Sequence, residues 1–451
     1  MNRRDFVRDL VIGTSLIAVG ACRPVASIPL AYDPDTLPPP KIFPQETKAL
    51  LGKAIDYETQ MGHMHLSPEG LVRYAAREDG TSIIVLPDTS IWTGCYVAAE
   101  AFRWAVTKDS DAKTRLSRSL HGLHLLQEVT GKKGLLARTY WKGHFSPSHG
   151  AGEWHIGKGN FSNDMWLGDV SVDQLNGAIF GYALAFDLVK DRALRKQIAK
   201  DVCAIADHLL VHGMKIVDID GHPTRHGHLD SGLFTEDLNA LIALMVMKVA
   251  HRVTGAPRFQ KAYAHLIGKK GYHFRAAQAR DKWWEYIRGI NHSDNNLAFL
   301  AYYPLMRLEK DPSLKRVYQK GLERTWRVVR PEKNPFFTFI YHAFLPENQR
   351  DKMALNRAME TLFLFPAIKR DTRIMNSRRH DICRAFWKDR HGHPQACLPL
   401  PIQERPADSF EWKANPYRLD GGGDGKTIYA GVDFLISYWM GRYHSFIHPM
   451  L

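Results

Sequence analysis

Residues 90–129 read SIWTGCYVAAEAFRWAVTKDSDAKTRLSRSLHGLHLLQEV, and this stretch decides the fold. Apolar and small side chains recur three and four positions apart over 90–106 and again over 112–129, which is the spacing of one helical face. Thr107-Lys108-Asp109 interrupts the pattern between them. A polar turn this short places two helices side by side and antiparallel, so the stretch predicts a helical hairpin.

The same pattern returns along the rest of the chain. Further helix pairs are predicted at 172–189 with 193–212, at 235–253 with 258–267, at 293–308 with 312–329, and at 336–344 with 348–363. Single helices are predicted at 45–60 and 428–443, and because neither has another partner, we expect them to pack together and close a ring. Strand-like runs are nearly absent, apart from 82–86. Residues 45–451 therefore predict a single all-α domain of about six hairpins.

The connections alternate between short turns within a pair and long links between pairs. The long links cover 131–171, 213–234, 271–292 and 366–427, and they are rich in aromatic and histidine residues. In a ring of antiparallel hairpins all the long links fall at one end, and binding and catalytic residues concentrate on loops that a rigid scaffold positions. We therefore expect the functional site on this long-link face.

Two helix starts carry a resemblance to a known architecture. Trp92-Thr93-Gly94 opens the first helix of the quoted hairpin, and Asp173-Gln174 opens the helix that continues over 175–188. This style of hairpin resembles the (α/α)6 toroid superfamily, the six-hairpin glycosidases and the polysaccharide lyases related to them. The resemblance covers about residues 45–443 and concerns architecture. It implies a toroid with its site among the long links, and it assigns no catalytic residue by correspondence.

The N-terminal residues carry the signals of an exported lipoprotein. Arg3-Arg4-Asp5-Phe6-Val7 is typical of a twin-arginine export signal. A short apolar run then leads to Val19-Gly20-Ala21-Cys22, which has the form of a lipoprotein cleavage box. Together these signals predict a signal peptide over 1–21, acylation of Cys22, a Pro-rich tether over 22–44, and a periplasmic protein held to a bacterial membrane by lipid. A frayed terminus with a chance arginine pair and a chance cysteine is the alternative.

The charge balance is strongly basic, with 61 Lys and Arg against 47 Asp and Glu and a net charge of +14. Such a surface favours anionic partners. The basic residues are scattered, and no helix-turn-helix, zinc-finger or RNA-binding signature occurs, so nucleic acid is not the expected partner. An anionic polysaccharide or oligosaccharide is expected instead.

Four cysteines remain after Cys22, and none of them forms a Cys-x-x-Cys pair. Cys383 and Cys397 flank a polar stretch, and in an oxidising periplasm they can close a loop by a disulfide worth about 3 kcal/mol. Cys95 and Cys203 lie in helical patterns and are expected to be buried apolar residues.

The first long link interleaves aromatic and acidic residues. Trp166 and the rings near it suit stacking on the apolar face of a sugar, while carboxylates suit its hydroxyl groups. Asp173, in the first turn of the following helix, is a candidate catalytic carboxylate. Helix capping explains Asp173 equally well.

The second long link is rich in metal-ligating residue types. His226, His228 and Asp230 alternate, so on an extended segment all three can face one divalent ion. Asp218-x-Asp220-Gly221 echoes the start of a calcium loop whose later ligands are missing. Solvated histidines are the favoured interpretation, and no cofactor or metal is expected.

The third long link carries the densest set of candidates. Trp283 and Trp284 are predicted to form a platform for a sugar ring. Candidate catalytic and anion-binding residues follow: Glu285, Tyr286, Arg288, Asn291, His292 and Asp294. The alternative places the two tryptophans in the core and uses Asp294 as a helix cap. In the last link Tyr417 is a further candidate substrate-binding residue, and the glycine run 421–423 is interpreted as a flexible loop near the site, not a phosphate-binding loop.

The favoured function is cleavage of an anionic or envelope polysaccharide by a glycoside hydrolase. Hydrolysis would use one of Asp173, Asp294 and Glu285 as general acid and another as the base that activates water. A non-catalytic saccharide-binding or envelope-assembly lipoprotein is the competitor, because the same aromatic loops serve binding alone. Convergent carboxylates with perturbed pKa values would favour the enzyme.

Elimination on a uronate is the second enzymatic alternative. The third link resembles polysaccharide lyases of the toroid class, in which Asn, His, Tyr and Arg residues act on a uronate. By that resemblance His292 or Tyr286 would remove the proton, and Arg288 with Asn291 would neutralise the sugar carboxylate.

Overall fold

The computed structural model describes residues 44–78, 87–145, 152–230, 237–280 and 290–448. Within them one layer of six helices consists of α2 (Thr89–Thr107), α4 (Val172–Leu188), α6 (Asp237–Thr254), α9 (His292–Leu308), α11 (Pro335–His342) and α13 (Val432–Tyr443). The outer layer consists of α1 (Pro44–Gln60), α3 (Ser110–Glu128), α5 (Arg192–Val211), α7 (Pro257–Gly268), α10 (Pro312–Val329) and α12 (Lys352–Leu364). A short helix that the sequence pattern missed, α8 (Tyr272–Ala276), lies in the third link.

The pattern of burial separates the two layers. In α6 every residue from Ala240 to Met247 is completely buried, because this helix packs against neighbours on all sides. In α10 the buried residues Tyr318, Leu322, Trp326 and Val329 recur at helical spacing, so that only one face enters the core. The first kind of helix can only be interior, and the second kind covers it.

The inner helices close into a ring. Contacts run in the order α2, α4, α6, α9, α11, α13 and back to α2. The outer helix α1 packs on α13 through Tyr57 and Phe434, whose ring centroids lie 5.1 Å apart. It also reaches α12, where Lys53 Nζ donates to the carbonyl oxygen of Phe363 at 2.8 Å. The two ends of the described chain thus form the sixth hairpin, and the predicted all-α (α/α)6 toroid is confirmed.

Glycines let α2 and α4 approach each other closely. A Cβ atom on Gly94 would lie 2.0 Å from the carbonyl oxygen of Gly177, and one on Gly181 would lie 2.4 Å from the carbonyl oxygen of Gly94. Backbone therefore meets backbone at this crossing, which fixes the N-terminal ends of the two helices side by side.

The links contain more strand than the sequence predicts. The described residues include ten short strands: β1 (Ala75–Arg77), β2 (Thr139–Trp141), β3 (Trp154–Ile156), β4 (Met165–Leu167), β5 (Lys215–Val217), β6 (Pro223–His228), β7 (Arg370–Met375), β8 (Arg384–Lys388), β9 (Pro394–Ala396) and β10 (Asp420–Tyr429). They form the antiparallel sheets β1-β10-β7, β2-β4-β3, β5-β6 and β8-β9. All of them but β10 have only three to six residues, and a run that short does not produce a recognisable apolar alternation.

Strand β10 corrects two expectations about the last link. The glycine run 421–423 is not a flexible loop but part of β10, and Gly422 (φ 80°) sits where a Cβ would lie 2.0 Å from the carbonyl oxygen of Thr372. Ile428 and Tyr429 belong to β10 as well, and the last helix begins only at Val432. A register irregularity in the β10–β7 pairing accommodates the glycines.

Three of the four described cysteines lie where the sequence analysis predicts. Cys383 and Cys397 form a disulfide, with Cα atoms 5.5 Å apart. Cys95 is completely buried. Cys203 is only half-buried and contacts the Arg258 guanidinium, because α5 belongs to the outer layer.

Residues Pro40–Leu451 form one compact unit by their contacts. Across the described ranges, none of the helices combines the length and the apolar character that crossing a bilayer requires.

Candidate active site

Acidic residues mark the beginnings of five of the six inner helices. Asp88 immediately precedes α2, and Asp173, Asp237, Asp294 and Asp433 lie in the first turns of α4, α6, α9 and α13. Unpaired backbone N–H groups at a helix N-terminus stabilise negative charge, which favours carboxylates at these positions.

Among the carboxyl groups at the inner-helix starts, Asp173 has a pKa that is raised toward neutrality. Burial raises its pKa to about 6, with smaller contributions from the negative charges of Asp294 and Asp88, while Arg138 acts in the opposite direction. Three carboxyl groups from three inner-helix starts therefore lie within electrostatic reach of one another. A carboxylic acid with a pKa in this range can donate a proton to a leaving group.

Asp294 is fixed by two donors of different kinds. Asp294 is only 8% exposed. Asn291 Nδ2 donates to Asp294 Oδ1 at 2.7 Å, and Arg280 Nη1 lies 3.5 Å from Oδ2. The predicted residues Asn291 and Asp294 are thus brought together, with Asn291 orienting the carboxylate.

Asp88 is held in a similar way, by an arginine and an amide. Arg138 Nη2 donates to Asp88 Oδ1 at 2.9 Å, and Gln174 Nε2 donates to the same oxygen at 2.8 Å. Gln174 also accepts from the backbone N–H of Ile91 through Oε1, at 3.2 Å. The side chain next to Asp173 therefore binds the start of α2, and the close α2–α4 crossing makes this contact possible.

Two adjoining polar cavities lie among the described residues of the long-link face. The smaller, of about 230 Å³, is lined by Asn291, His292, Arg390 and Arg418 among others. The larger, of about 490 Å³, is lined by residues that include Tyr74, Lys413 and again Arg418. The cavities share Ala407, Asp408 and Arg418, so they are two parts of one depression.

Tyr74 connects the larger cavity with the carboxylates. Its pKa is raised by burial and further by the negative charges of Asp88 and Asp408. Asp408 itself keeps a pKa below its usual range although burial opposes this, because Lys413 and the Ser409 hydroxyl stabilise the carboxylate. Asp173 and Asp294 do not line either cavity, whereas Asn291, which donates to Asp294, lines the smaller one.

His292 lines the smaller cavity but is a weak base. Its side chain is 10% exposed, and burial with the charges of Arg280 and Arg405 lowers its pKa to about 3. Its Nδ1 lies 3.8 Å from Glu332 Oε1, and burial raises the pKa of Glu332 to about 8. At neutral pH the imidazole is therefore neutral and Glu332 is protonated. Tyr417 packs near the imidazole, with ring centroids 6.1 Å apart.

Trp166 is not placed as a sugar platform. It is completely buried in β4 and its ring lies against His155, with centroids 4.6 Å apart. The expectation for Trp166 is corrected, because a strand in the middle of the β2-β4-β3 sheet turns this ring into the core. The predicted residues Trp283, Trp284, Glu285, Tyr286 and Arg288 lie outside the described residues, as does Cys22.

The candidate metal ligands of the second link, His226, His228 and Asp230, differ in their contacts and exposure. His228 Nδ1 lies 3.4 Å from Asp230 Oδ1, but the Lys215 ammonium lies 3.4 Å from Asp230 Oδ2 and already supplies a positive charge there. His226 is exposed on β6.

Sequence reasoning missed Asp88 and the residues that hold it. Gln174 and Arg138 are 86 and 50 positions away from Asp88, so no local motif displays their contacts. A usable signal did exist, because Asp88 directly precedes an inner helix, and Asp173 and Asp294 also lie at the starts of inner helices, within the first turn.

The ring of six helical hairpins, with carboxylates at the inner-helix starts and polar cavities on the long-link face, defines the chain as an (α/α)6 toroid. No protein-family model matches the sequence, and no curated protein matches it significantly.

Solved structures with a similar path of the chain include enzymes of several kinds. A glycoside hydrolase family 76 mannosidase from Bacteroides thetaiotaomicron is 10% identical, with a TM-score of 0.46 over 88% of this chain and 98% of that one. An unsaturated glucuronyl hydrolase specific for heparin is 10% identical, with a TM-score of 0.47 over 89% and 97%. A D-mannose isomerase is 10% identical, with a TM-score of 0.44 over 90% and 99%. At these values the likeness concerns the fold alone.

Proposed function

We propose that the protein is a carbohydrate-active enzyme that hydrolyses an anionic or envelope polysaccharide, with Asp173 as the general acid. The observation that carries the proposal is the pKa of Asp173, which burial and two neighbouring carboxylates raise to about 6. Glycoside hydrolysis requires one carboxylic acid that protonates the leaving oxygen and one carboxylate that activates water or attacks the sugar.

Asp294 and Asp88 are the two candidates for the second carboxylate. Each accepts a hydrogen bond from an amide side chain, Asn291 or Gln174, and each lies near an arginine. Such fixed donors hold a carboxylate in one orientation, which positioning of water or of a nucleophile requires. Of the two, Asp294 is the residue that the sequence pattern also singles out.

Basic side chains in the cavities offer contacts for an anionic substrate, beside the carboxylates of Asp371, Asp389 and Asp408. Arg418 lines both cavities, and Arg390 lines the smaller one. The larger cavity also contains Lys413, whose Nζ lies 3.6 Å from Asp408 Oδ1. A guanidinium can bind a carboxylate or sulfate through two parallel N–H donors, which suits Arg390 and Arg418 for an acidic sugar.

The structure supports hydrolysis better than elimination. A base that removes a sugar proton should have a pKa near the working pH, and burial lowers the pKa of His292 to about 3. Asp173, by contrast, has a pKa raised toward neutrality, as a general acid in hydrolysis requires, and this favours an enzyme over a surface that only binds.

The proposed location is the periplasm, with lipid on Cys22 as the anchor. The export and cleavage signals at 3–7 and 19–22 support it. Mass spectrometry of the membrane fraction should show an acylated N-terminal Cys22, and an intact Met1 would contradict the proposal.

The test of the function is a substrate panel with matched variants. The full chain is incubated with neutral and uronic polysaccharides, and reducing ends and the absorbance of unsaturated products are recorded. We expect reducing ends without unsaturated products, and a loss of on the order of 10²-fold or more in turnover for Asp173→Asn. Asp207→Asn on the outer helix α5 is the control and should keep full turnover.

Two outcomes would contradict the proposal. Unsaturated products would indicate elimination. Full activity of a folded Asp173→Asn variant on a validated substrate would leave Asp173 with a capping role only.

A further inference from the structure

A group of potential metal ligands consists of residues other than the proposed catalytic carboxylates. Glu153, His155 and Asp218 each direct one ligand atom so that these atoms all lie within 4.8 Å of one another. Glu153 and His155 come from the first long link, and Asp218 comes from the second. The second link therefore adds one ligand to two that the first link supplies.

The imidazole of His155 has no hydrogen-bond partner at the atom that faces this group. Its Nε2 is buried and unpaired within the described part of the chain. The ring is held by Trp166, whose centroid lies 4.6 Å away. An unpaired buried nitrogen costs about 1–3 kcal/mol unless something binds it, so this atom calls for a ligand.

Gly168 has no side chain, and this leaves space between the ligand atoms that a Cβ atom would fill. A Cβ atom at Gly168 would lie 2.5 Å from His155 Nε2 and 3.0 Å from Asp218 Oδ2. The backbone N–H of Gly168 donates to the carbonyl oxygen of Glu153 at 2.8 Å. The glycine thus ties Glu153, which directly precedes β3, to the turn that faces Asp218.

Asp218 is already oriented by its surroundings. Its Oδ2 accepts from the backbone N–H of Asp169 at 2.9 Å, and its Oδ1 accepts from the backbone N–H of Ile219 at 2.7 Å. The nearby Lys132 ammonium donates to the backbone carbonyl oxygen of Asp218 at 2.5 Å. That lysine is thereby engaged by the backbone, and each carboxylate oxygen keeps lone pairs for a cation.

We infer that Glu153, His155 and Asp218 form a binding site for one divalent transition-metal ion, with Zn²⁺ as the best fit. One imidazole nitrogen and two carboxylate oxygens are borderline ligands that suit Zn²⁺, whereas Ca²⁺ and Mg²⁺ prefer oxygen ligands throughout. Bound there, the ion joins the first long link to the second. Asp169 follows Gly168 and precedes α4 by three positions, so the ion steadies the segment that leads to the start of α4.

The test is Zn²⁺ binding to the metal-free, untagged full chain, measured by calorimetry and by thermal unfolding. We expect one equivalent of Zn²⁺ to bind and to raise Tm, with Mg²⁺ much weaker. His155→Ala and Glu153→Gln should each weaken this binding by at least about tenfold, because each removes a direct ligand. Glu153 is exposed, so Glu153→Gln keeps the variant folded.

His228→Ala is the matched control, since His228 also lies beside an aspartate, with its Nδ1 3.4 Å from Asp230 Oδ1. This variant should bind Zn²⁺ as the unmodified chain does. Equal Zn²⁺ binding in all of these proteins would overturn the inference. So would the absence of a Zn²⁺-dependent Tm shift in the unmodified chain, or a loss in His228→Ala as large as that in His155→Ala.

Discussion

Removing the Lys369 ammonium should destabilise the ring more than removal of any exposed charge. Lys369 forms an ion pair with Asp433 in which both side chains have zero exposure. Lys369 lies between α12 and β7, and Asp433 is in the first turn of α13, so the pair joins the last long link to the last inner helix. Asp433 Oδ2 also accepts from the backbone N–H of Glu411 at 2.8 Å.

The magnitude follows from what Lys369→Met leaves behind. An unpaired carboxylate buried without its cation costs about 3–5 kcal/mol of unfolding free energy. Burial raises the pKa of Asp433, and Lys369 is the main influence that lowers it. In Lys369→Met the carboxyl group therefore binds a proton more readily, and the loss of stability should be smaller at pH 5 than at pH 8.

A double variant separates charge burial from lost packing. In Lys369→Met/Asp433→Asn the remaining amide is neutral and still accepts backbone hydrogen bonds, so most of the lost stability should return. Urea unfolding followed by tryptophan fluorescence gives the free energies. Arg327→Met is the control, because the Arg327–Glu323 pair has 71% and 36% exposed side chains and should contribute less than about 1 kcal/mol. The reasoning is refuted if Lys369→Met costs no more than the control, or if the double variant is as unstable as the single one.

Three further predictions concern stability. Gly177→Ala should lower the free energy of unfolding by about 1–3 kcal/mol, because the added Cβ would lie 2.5 Å from Ile91 Cγ1. Gly52→Ala is the control, because its Cβ meets nothing within 4 Å and should not destabilise the protein. Thermal unfolding compares the two variants, and equal Tm values would contradict the close α2–α4 contact. A reductant should lower the free energy of unfolding of the chain by about 3 kcal/mol, because it breaks the Cys383–Cys397 disulfide, and it should leave the stability of Cys383→Ser unchanged. An equal loss of stability in both proteins would contradict this prediction. Asp173→Asn should gain stability relative to the unmodified chain as pH rises from 4 to 6, by up to about 3 kcal/mol, because the raised pKa of Asp173 makes its ionisation in the folded state unfavourable. Urea unfolding across this range measures the difference in unfolding free energy between the two proteins, and this difference would stay constant if the pKa were ordinary.

Most of the helical framework was predictable because it follows from local apolar spacing. The predicted range 312–329 coincides with α10, and 172–189 ends one residue after α4. The last helix was predicted four residues too early, at 428, because Ile428 and Tyr429 are apolar in β10 as they would be in a helix. Strand pairing depends on partners far along the chain, and a short strand alone carries no sign of them.

The candidate site was predictable only where a single position carries the signal. Asp173 and Asp294 were found from their places in a first turn, but the pKa of Asp173 depends on burial and on neighbours that only the folded chain brings together. The prediction for Trp166 was wrong because the sequence pattern of an aromatic residue in a link is the same whether its ring faces a sugar or the core. The ion pair of Lys369 and Asp433 spans 64 positions and leaves no trace in the local pattern.

The sixth hairpin, which consists of α13 and α1 from the two ends of the described chain, closes the ring of helices. Trp439 Nε1 donates to Glu58 Oε1 at 3.3 Å across 381 positions of sequence, so the ring closes only after the last inner helix has been synthesised. Contacts of such sequence separation form late, because loop closure must be completed before they add stability. The same geometry makes the starting point of the chain arbitrary for the fold. A circular permutant that joins residue 448 to residue 44 through a flexible linker, and opens the chain at Gly255 between α6 and α7, should assemble the same ring.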